Sequence, residues 1–241
     1  MALRLLFYNI NRALCHTSSK HIATSNSDIK GGLNESAKDW KIKLHNSMKV
    51  LPNFISEEEE NILMQEVDPY MKRLRYEYSH WDNVSKMRLI NKAIHGYRET
   101  EWRKWNKDSS QILDRVRKKA FPPEMTQLTL VHILDLASEG WIKPHIDSVR
   151  FCGGIIAGLS LLTDSVMKLM MEGREKECVE CFLLPRRSLY IMSGVARYKY
   201  NHEILKSEES YFEGRHVPKS RRISIICRSE PDPEVSENST I

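Results

Sequence analysis

The spacing of apolar residues predicts helices in the N-terminal half of the chain. Residues 56–59 (Ser-Glu-Glu-Glu) have the form of a capping box, and an apolar stripe at helical spacing follows over 62–71. This pattern predicts a helix over about 57–74. A second helix is predicted over about 109–120, and Phe121-Pro122-Pro123 ends it because proline disfavours helix at its own position and at the one before it.

From about residue 127 the pattern changes to short apolar runs separated by turn residues, which is typical of β-strands. Many short strands without intervening helices predict an antiparallel jelly roll or barrel. The fold class is therefore α+β and mostly β, with the N-terminal helices packed on the strands. After a first β-rich run at 128–136, the predicted strands are Ile155–Leu162, Val166–Met170, Glu180–Leu184, Leu189–Met192 and Ile223–Cys227.

Composition places few limits on function. A chain of 241 residues can form one core of ordinary size, and 41% hydrophobic with 29% charged residues is a globular balance. The net charge of +5 permits an anionic partner without requiring one. No apolar run of about 18 residues occurs, so no membrane-spanning helix is expected.

The N-terminal segment 1–27 contains Arg4 and Arg12 but no Asp or Glu, and its leucines lie at roughly helical spacing. These features are typical of a cleaved mitochondrial transit peptide, although an ordinary N-terminal extension is the alternative. Residues 28–47 are polar and predict a linker. The domain itself is expected over 48–230, and the acidic, proline-containing segment 231–241 predicts a disordered tail.

The five cysteines do not predict a disulfide framework, because their number is odd and the chain is long. Cys178 and Cys181 form a CxxC motif. Zinc requires four ligands and no second pair follows, so two free thiols are the favoured interpretation.

His145-Ile146-Asp147 is an HxD motif. In a strand, residues i and i+2 point to the same face, so the imidazole and the carboxylate can reach one metal ion. With His202 they would form a facial triad of two histidines and one carboxylate, which leaves positions on iron(II) open. A second HxD, His80-Trp81-Asp82, lies in a charged segment without strand character and is interpreted as surface or packing residues.

Arg222 and Arg228 are six residues apart on a predicted strand, so both face the same side, with Cα atoms about 20 Å apart. Guanidinium groups bind carboxylates through paired, charge-assisted hydrogen bonds. A five-carbon dicarboxylate is a suitable ligand between them, whereas a solvated strand face is the alternative for arginines considered alone.

Taken together, the HxD motif, the distal histidine and the RxxxxxR strand resemble the AlkB family of iron(II)- and 2-oxoglutarate-dependent dioxygenases, and within it the mitochondrial branch. The resemblance covers about residues 48–230. It implies a double-stranded β-helix core, iron(II) as cofactor, 2-oxoglutarate as cosubstrate and O2 as co-reactant. The stretches that carry it are KPHIDS (143–148), GLSLL (158–162), SLYIMSG (188–194), ARYKYNHEIL (196–205) and RRISIICRS (221–229).

By position, the resemblance implies that His145, Asp147 and His202 bind iron and that no separate acid or base is needed. Arg222 would pair with the distal carboxylate of 2-oxoglutarate and Arg228 would lie nearer its keto-acid end. Ser224 and Tyr190 would hydrogen-bond the cosubstrate. Serine is shorter than the polar residue common at that position, so the Ser224 contact departs from the family pattern.

The substrate is less defined by the sequence. The resemblance implies a mitochondrial matrix enzyme that hydroxylates a protein or another non-standard substrate, with a regulatory role in programmed necrosis and fatty-acid metabolism. A demethylase of mitochondrial RNA or DNA and a non-enzymatic interaction protein are the alternatives. The basic stretch 83–92 could serve RNA but is favoured as a surface insertion, and Trp81, Trp102 and Trp105 are favoured as satellite core over a partner surface.

Overall fold

The computed structural model describes residues 32–78 and 94–232, with side chains from residue 39 onward. Within these ranges the chain forms four α-helices and eleven β-strands. In chain order they are α1 (Gly32–Ser47), β1 (Met48–Leu51), α2 (Glu57–Met71), β2 (Ile94–Trp102), α3 (Lys107–Ala120), β3 (Val131–His145), β4 (Ile155–Leu161), β5 (Ser165–Met171), β6 (Val179–Leu184), β7 (Ser188–Ser193), α4 (Gly194–Lys199), β8 (Tyr200–Ile204), β9 (Tyr211–Phe212), β10 (Arg215–His216) and β11 (Arg222–Arg228).

Nine of these strands form one antiparallel sheet in the order β1-β7-β4-β11-β3-β8-β5-β6, with β2 paired to β3. The long strand β3 joins two parts of the sheet: its first half lies between β2 and β11, and its second half pairs with β8. Neighbours in this order are mostly distant in sequence, as in a jelly roll. The predicted fold class, mostly β with a double-stranded β-helix core, is confirmed.

The sheet separates two apolar cores. Alternate residues of β11 show this division, because successive side chains of a strand point to opposite faces. Ile223 and Ile225 pack in an outer core beneath α2 and α3, whereas Ile226 belongs to an inner core enclosed by the curved sheet. The inner core is the one that contains the candidate site.

Helices α2 and α3 begin where local side chains satisfy their first amide groups. The capping box of α2 is present, with Ser56 Oγ accepting from the Glu59 amide and the Glu59 carboxylate accepting from the Ser56 amide. The Asn106 side chain caps α3 by accepting from the Ser109 amide at 2.8 Å. Both predicted helices are therefore confirmed, with ends that differ by two or three residues.

The prediction of a linker over 28–47 is wrong for the part that the structure describes, since Gly32–Ser47 is helix α1. Leu44 on this helix is fully buried in the inner core, and Trp40, one turn earlier, packs against the same core. A spacing of four residues places both side chains on one face of a helix. The remaining residues of α1 are mostly polar, which hides this face in the sequence pattern.

Six further elements were not predicted: the strands β1, β2, β8, β9 and β10 and the short helix α4. Strand β2 lies in the segment 75–108, where charged residues obscure the alternation, and its Arg98 is buried because it pairs with Asp135. The short helix α4 begins at Gly194, directly after β7. Gly194 has a φ of +45°, a conformation that glycine adopts at low cost.

Several predictions concern residues outside the described ranges. They are the transit peptide 1–27, the second HxD motif with Trp81, the basic stretch 83–92 and most of the tail 231–241. Trp102 and Trp105 are described: their rings lie 5.2 Å apart and pack against the outer core, as expected for satellite core residues. No helix of the described part is long and apolar enough to cross a membrane.

Candidate active site

All seven side chains predicted to bind iron or 2-oxoglutarate line one cavity inside the curved sheet, with a volume of about 180 Å³. The cavity has an apolar wall that includes Met167, Ile204 and Phe151. The predicted residues come from four strands and one loop, so tertiary folding brings them together. They are His145, Asp147, Tyr190, His202, Arg222, Ser224 and Arg228.

The two histidines face each other because strands β3 and β8 pair at these positions. His145 is directly opposite His202 in the register, and their ring centroids are 4.3 Å apart. Asp147 follows in the loop 146–154, with Oδ1 at 3.3 Å from His145 Nε2 and Oδ2 at 4.0 Å from His202 Nε2. The three potential ligand atoms all lie within 4.8 Å of one another, which is the spacing of a metal centre.

The electrostatics of Asp147 and His202 favour the protonation states that bind metal. Burial alone would raise the pKa of Asp147, but the hydrogen bond from His145 and the neighbouring positive charges hold it well below its usual range. Burial, with the nearby His145, lowers the pKa of His202 to about 4. At neutral pH Asp147 is therefore ionised and His202 is neutral.

His145 is oriented by its own backbone. Its Nδ1 lies 2.9 Å from the Lys143 carbonyl oxygen and donates to it, so Nε2 is the nitrogen that faces the Asp147 carboxylate, and the protonated ring donates to that carboxylate from Nε2. Burial lowers the pKa of His145, but the hydrogen bond and charge of Asp147 outweigh burial and raise it overall. A metal ion would replace the proton that Nε2 shares with the carboxylate.

Arg222 provides a buried positive charge at the inner end of the cavity. Its side chain is 2% exposed, and Nε donates to Ser160 Oγ at 3.0 Å. Among the described residues no carboxylate pairs with it, and Nη2 has no hydrogen-bond partner. Burial lowers the pKa of Arg222 because a charged guanidinium is costly to remove from water.

Tyr190 and Ser224 stand beside this guanidinium on neighbouring strands. The ring of Tyr190 crosses β4 at Gly158, where a Cβ atom would lie only 2.4 Å from the phenol oxygen. Gly158 is therefore required to let the tyrosine lie flat against the strand. The hydroxyl of Ser224 is buried without a hydrogen-bond partner, and burial raises the pKa of Tyr190.

Arg228 lies nearer the mouth of the cavity and differs from Arg222 in having an acidic partner. Its guanidinium forms an ion pair with Glu101 on β2, while Nε is buried without a partner. Next to this pair, His132 Nε2 lies 2.9 Å from Glu99. The mouth of the cavity is thus bordered by paired basic and acidic groups.

Four residues of the site were not singled out by the sequence. Ser160 holds Arg222, Gly158 makes room for Tyr190, Arg197 contacts the loop that carries Asp147, and Phe151, 71% exposed, lies at the cavity mouth. Ser160, Gly158 and Arg197 lie in two of the sequence stretches on which the resemblance to the AlkB family rests. No local pattern, however, distinguishes a positioning serine or arginine from an ordinary one.

A metal centre of this kind needs at least three histidine, cysteine or acidic side chains that converge on one point. Within the described ranges, His145, Asp147 and His202 form such a group. Cys178 and Cys181 are free thiols, the former buried, as the interpretation of the CxxC motif expected. Two imidazoles and one carboxylate are ligands that suit iron(II) and leave coordination positions open. The donor set therefore fits the metal that the motif predicts.

Comparison with known proteins agrees with this chemistry. A model of the 2OG-Fe(II) oxygenase superfamily matches residues 47–228. Two relatives, from Mus musculus and Bos taurus, are each 50% identical over 190 residues, which is 79% of this chain and 81% of theirs. Both are named alpha-ketoglutarate-dependent dioxygenase alkB homolog 7, mitochondrial.

Solved structures show the same fold at low sequence identity. OsALKBH1 superposes with a TM-score of 0.52 at 12% identity, covering 76% of this chain and 97% of that one. A prolyl hydroxylase from Trichoplax adhaerens superposes with a TM-score of 0.53 at 12% identity, and the match covers 89% of this chain and 99% of that one. That structure is a complex with a hypoxia inducible factor oxygen degradation domain peptide fragment. The chain belongs to the 2OG-Fe(II) oxygenase superfamily and is an oxidoreductase that depends on iron(II) and 2-oxoglutarate.

Proposed function

We propose that His145, Asp147 and His202 bind the iron(II) of this dioxygenase. The observation that supports this assignment is the convergence of their ligand atoms within 4.8 Å in the inner cavity. The neutral His202 and the ionised Asp147 need no proton release before they bind a cation. The donation from His145 Nδ1 to Lys143 fixes the imidazole so that Nε2 is the ligand atom.

We propose further that Arg222, Tyr190, Ser224 and Arg228 hold 2-oxoglutarate. Arg222 is a buried cation without an anionic partner among the described residues, and a carboxylate would supply that partner. The free Nη2 of Arg222 and the Ser224 hydroxyl are available to the same ligand. Arg228 would reach the cosubstrate with its unpaired Nε while Glu101 holds its outer end.

When bound, the iron and 2-oxoglutarate would supply the oxidation with O2 as the oxidant: one oxygen atom enters the succinate that forms from 2-oxoglutarate with release of CO2, and the other becomes the hydroxyl group of the substrate. The protein contributes position and environment. His145 and His202 are held by strand pairing, and Arg222 fixes the far end of the cosubstrate. The apolar wall, with Met167 and Ile204, limits water around the reacting groups. No side chain has to act as a separate acid or base.

We propose a protein as the substrate and the mitochondrial matrix as the location. At the cavity mouth the charge of Arg228 is paired with Glu101, and the Glu99 carboxylate lies beside His132, so the border of the mouth does not favour a phosphate backbone. Phe151 adds an exposed apolar surface there. The names of the two 50% identical relatives support a mitochondrial location. A role in programmed necrosis or fatty-acid metabolism remains a prediction from the family resemblance.

The metal and cosubstrate assignment is tested by anaerobic addition of iron(II) and 2-oxoglutarate to the full chain, with the charge-transfer absorption of the ternary complex as readout. We expect the band in the wild type and its loss in His145→Ala. His216→Ala, at an exposed histidine on β10, is the matched control and should retain the band. A wild type that folds normally but gives no band would contradict the assignment.

A nucleic acid is the second candidate substrate, and one surface favours it. Trp141 on β3 stacks on His95 at 5.8 Å, and the Lys206 ammonium lies 4.6 Å from its ring. The adjacent residue Ile142 lines the cavity, so this aromatic and basic surface is close to the site. Binding of a single-stranded RNA that weakens steeply with salt and depends on Trp141 would support this candidate. If no such RNA binding is observed, a protein is the favoured substrate class.

A further inference from the structure

The three proposed iron ligands are held in place in two different ways. His145 and His202 lie on paired strands, in register with each other. Asp147 lies in the irregular loop 146–154, which connects β3 to β4. Strand pairing therefore fixes the two imidazoles, whereas the carboxylate requires some other constraint.

Arg197 provides contacts to both ends of that loop. Its Nη1 donates to the Asp147 carbonyl oxygen at 2.8 Å, Nη2 donates to the Cys152 carbonyl oxygen at 3.0 Å, and Nε donates to the Gly153 carbonyl oxygen at 3.0 Å. A second contact of Nη2 reaches the Cys152 sulfur at 3.4 Å. The planar guanidinium thus uses all three nitrogens on one loop of the main chain.

This arrangement is unusual for a buried arginine. Arg197 is 1% exposed, and among the described residues no carboxylate forms an ion pair with its guanidinium. A buried charge is costly unless it is paired or fully hydrogen-bonded. Here the backbone carbonyls of the Asp147 loop provide the hydrogen bonds, so the burial of this cation depends on the shape of that loop.

The position of Arg197 in the chain connects it to the other ligands. It lies on α4, which leads directly into β8, and His202 follows five residues later. The Arg197 side chain therefore links the element before His202 to the main chain of Asp147. The loop is also closed at its far end, where the Gly153 amide donates to the Ser229 carbonyl oxygen at 2.9 Å.

We propose that Arg197 is a positioning residue for the metal centre: through its three carbonyl contacts it fixes the Asp147 carboxylate relative to His145 and His202. This inference rests on the proposed metal site. Hydrogen bonds that orient ligands from outside the coordination sphere are typically worth about 10- to 100-fold in metal affinity. Lysine cannot replace arginine here, because one ammonium group cannot meet three carbonyls in the geometry of a planar guanidinium.

The experiment measures Co(II) affinity, the visible absorption spectrum of bound Co(II), and the melting temperature of the metal-free protein, all in the full chain. The variants are Arg197→Lys, which keeps charge and approximate volume, and Arg197→Gln, which keeps a shorter donor without the charge. The matched control is Arg98→Lys, at a second buried arginine that pairs with Asp135 on the other side of the sheet.

We expect both Arg197 variants to bind Co(II) about 10- to 100-fold more weakly and with a changed spectrum, whereas Arg98→Lys lowers only the melting temperature. Arg197→Lys that binds Co(II) like the wild type would overturn the inference. Equal weakening in Arg98→Lys and Arg197→Lys would also overturn it, because stability alone would then explain the loss. A wild type that binds no Co(II) would instead reject the proposed metal site itself.

Discussion

The outer and inner faces of the sheet around the paired strands β3 and β11 bury polar groups in opposite ways. On the outer face, beneath α2, the fully buried Asp135 accepts hydrogen bonds from Arg98 at 2.7 Å, from Arg221 at 2.8 Å and from Tyr76 at 3.0 Å. Its two carboxylate oxygens are satisfied by protein groups. Such a network contributes to a defined fold and leaves no atom for a ligand.

On the inner face, Arg222 follows Arg221 directly in the sequence and is as buried as Asp135, but it lacks a carboxylate partner within the described chain. The Ser224 hydroxyl and His202 Nδ1 are also buried without partners. Unsatisfied buried groups destabilise a protein, so the presence of several of them in one cavity supports the proposed binding site. For the two adjacent arginines, Arg221 and Arg222, the presence or absence of a carboxylate partner is what distinguishes the structural group from the proposed ligand-binding group.

The largest expected effect comes from breaking the paired network. Asp135→Ala would leave Arg98 and Arg221 without their shared carboxylate and should lower the free energy of unfolding by about 3–5 kcal/mol. Chemical denaturation measures this change. Asp114→Ala, at a carboxylate 62% exposed, is the control and should change stability by less than about 0.5 kcal/mol. A similar small change for both variants would show that the network is not structural.

Arg222→Met tests the unpaired face. The variant should weaken 2-oxoglutarate binding by about 2–5 kcal/mol, because the buried partner of the carboxylate is removed. It should also raise the free energy of unfolding by about 1–2 kcal/mol, since an uncompensated buried charge is replaced by an apolar side chain.

The neighbouring Arg221→Met is the matched control for Arg222→Met. It should show the reverse pattern, with lower stability and unchanged cosubstrate affinity, because Arg221 pairs with Asp135 and Asp68. Calorimetric titration and denaturation of both variants provide the two readouts. If Arg222→Met destabilised the protein as much as Arg221→Met, the contrast between the two faces would be wrong.

The smallest expected effect concerns the space beside Tyr190. Gly158→Ala places a Cβ 2.4 Å from the phenol, and overpacking of this kind should cost about 1–3 kcal/mol of stability. The double variant with Tyr190→Leu should recover most of that loss, because the ring is the group in conflict. Thermal or chemical denaturation of Gly158→Ala, Tyr190→Leu and the double variant measures the recovered stability. Equal losses in the single and double variants would indicate that Gly158 serves another purpose.

Much of the fold could be predicted because its signals are local. The capping box at Ser56 and the short apolar runs from residue 127 depend on near neighbours in sequence. Strand β2 and helix α1 were missed because distant contacts decide them. Arg98 is buried only through Asp135, and Leu44 only through the inner core. A sequence pattern cannot show which distant residue will pair with or pack against a given side chain.

The same distinction holds for the site. The six-residue spacing of Arg222 and Arg228 places both side chains on one face of β11, so these groups could be named in advance. The HxD motif identified His145 and Asp147, but the expectation that a strand would carry both is wrong, because β3 ends at His145 and Asp147 lies in the loop that follows. The pairing of Arg228 with Glu101 could not be predicted, because the strand that carries Glu101, β2, was not recognised in the sequence. Nor could the contacts of Ser160 and Arg197, because hydroxyl and guanidinium groups occur throughout the chain and only folding brings these two to their partners.

The sequence by itself determined the chemistry available to this protein: two imidazoles and a carboxylate suited to iron(II), and a strand with two arginines suited to a dicarboxylate. Tertiary structure decided which polar groups were used for stability and which were left for ligands. The reason is physical. Covalent spacing fixes which side chains share a face, but only the packing of strands distant in sequence determines whether a buried group such as Asp135 or Arg222 finds a partner.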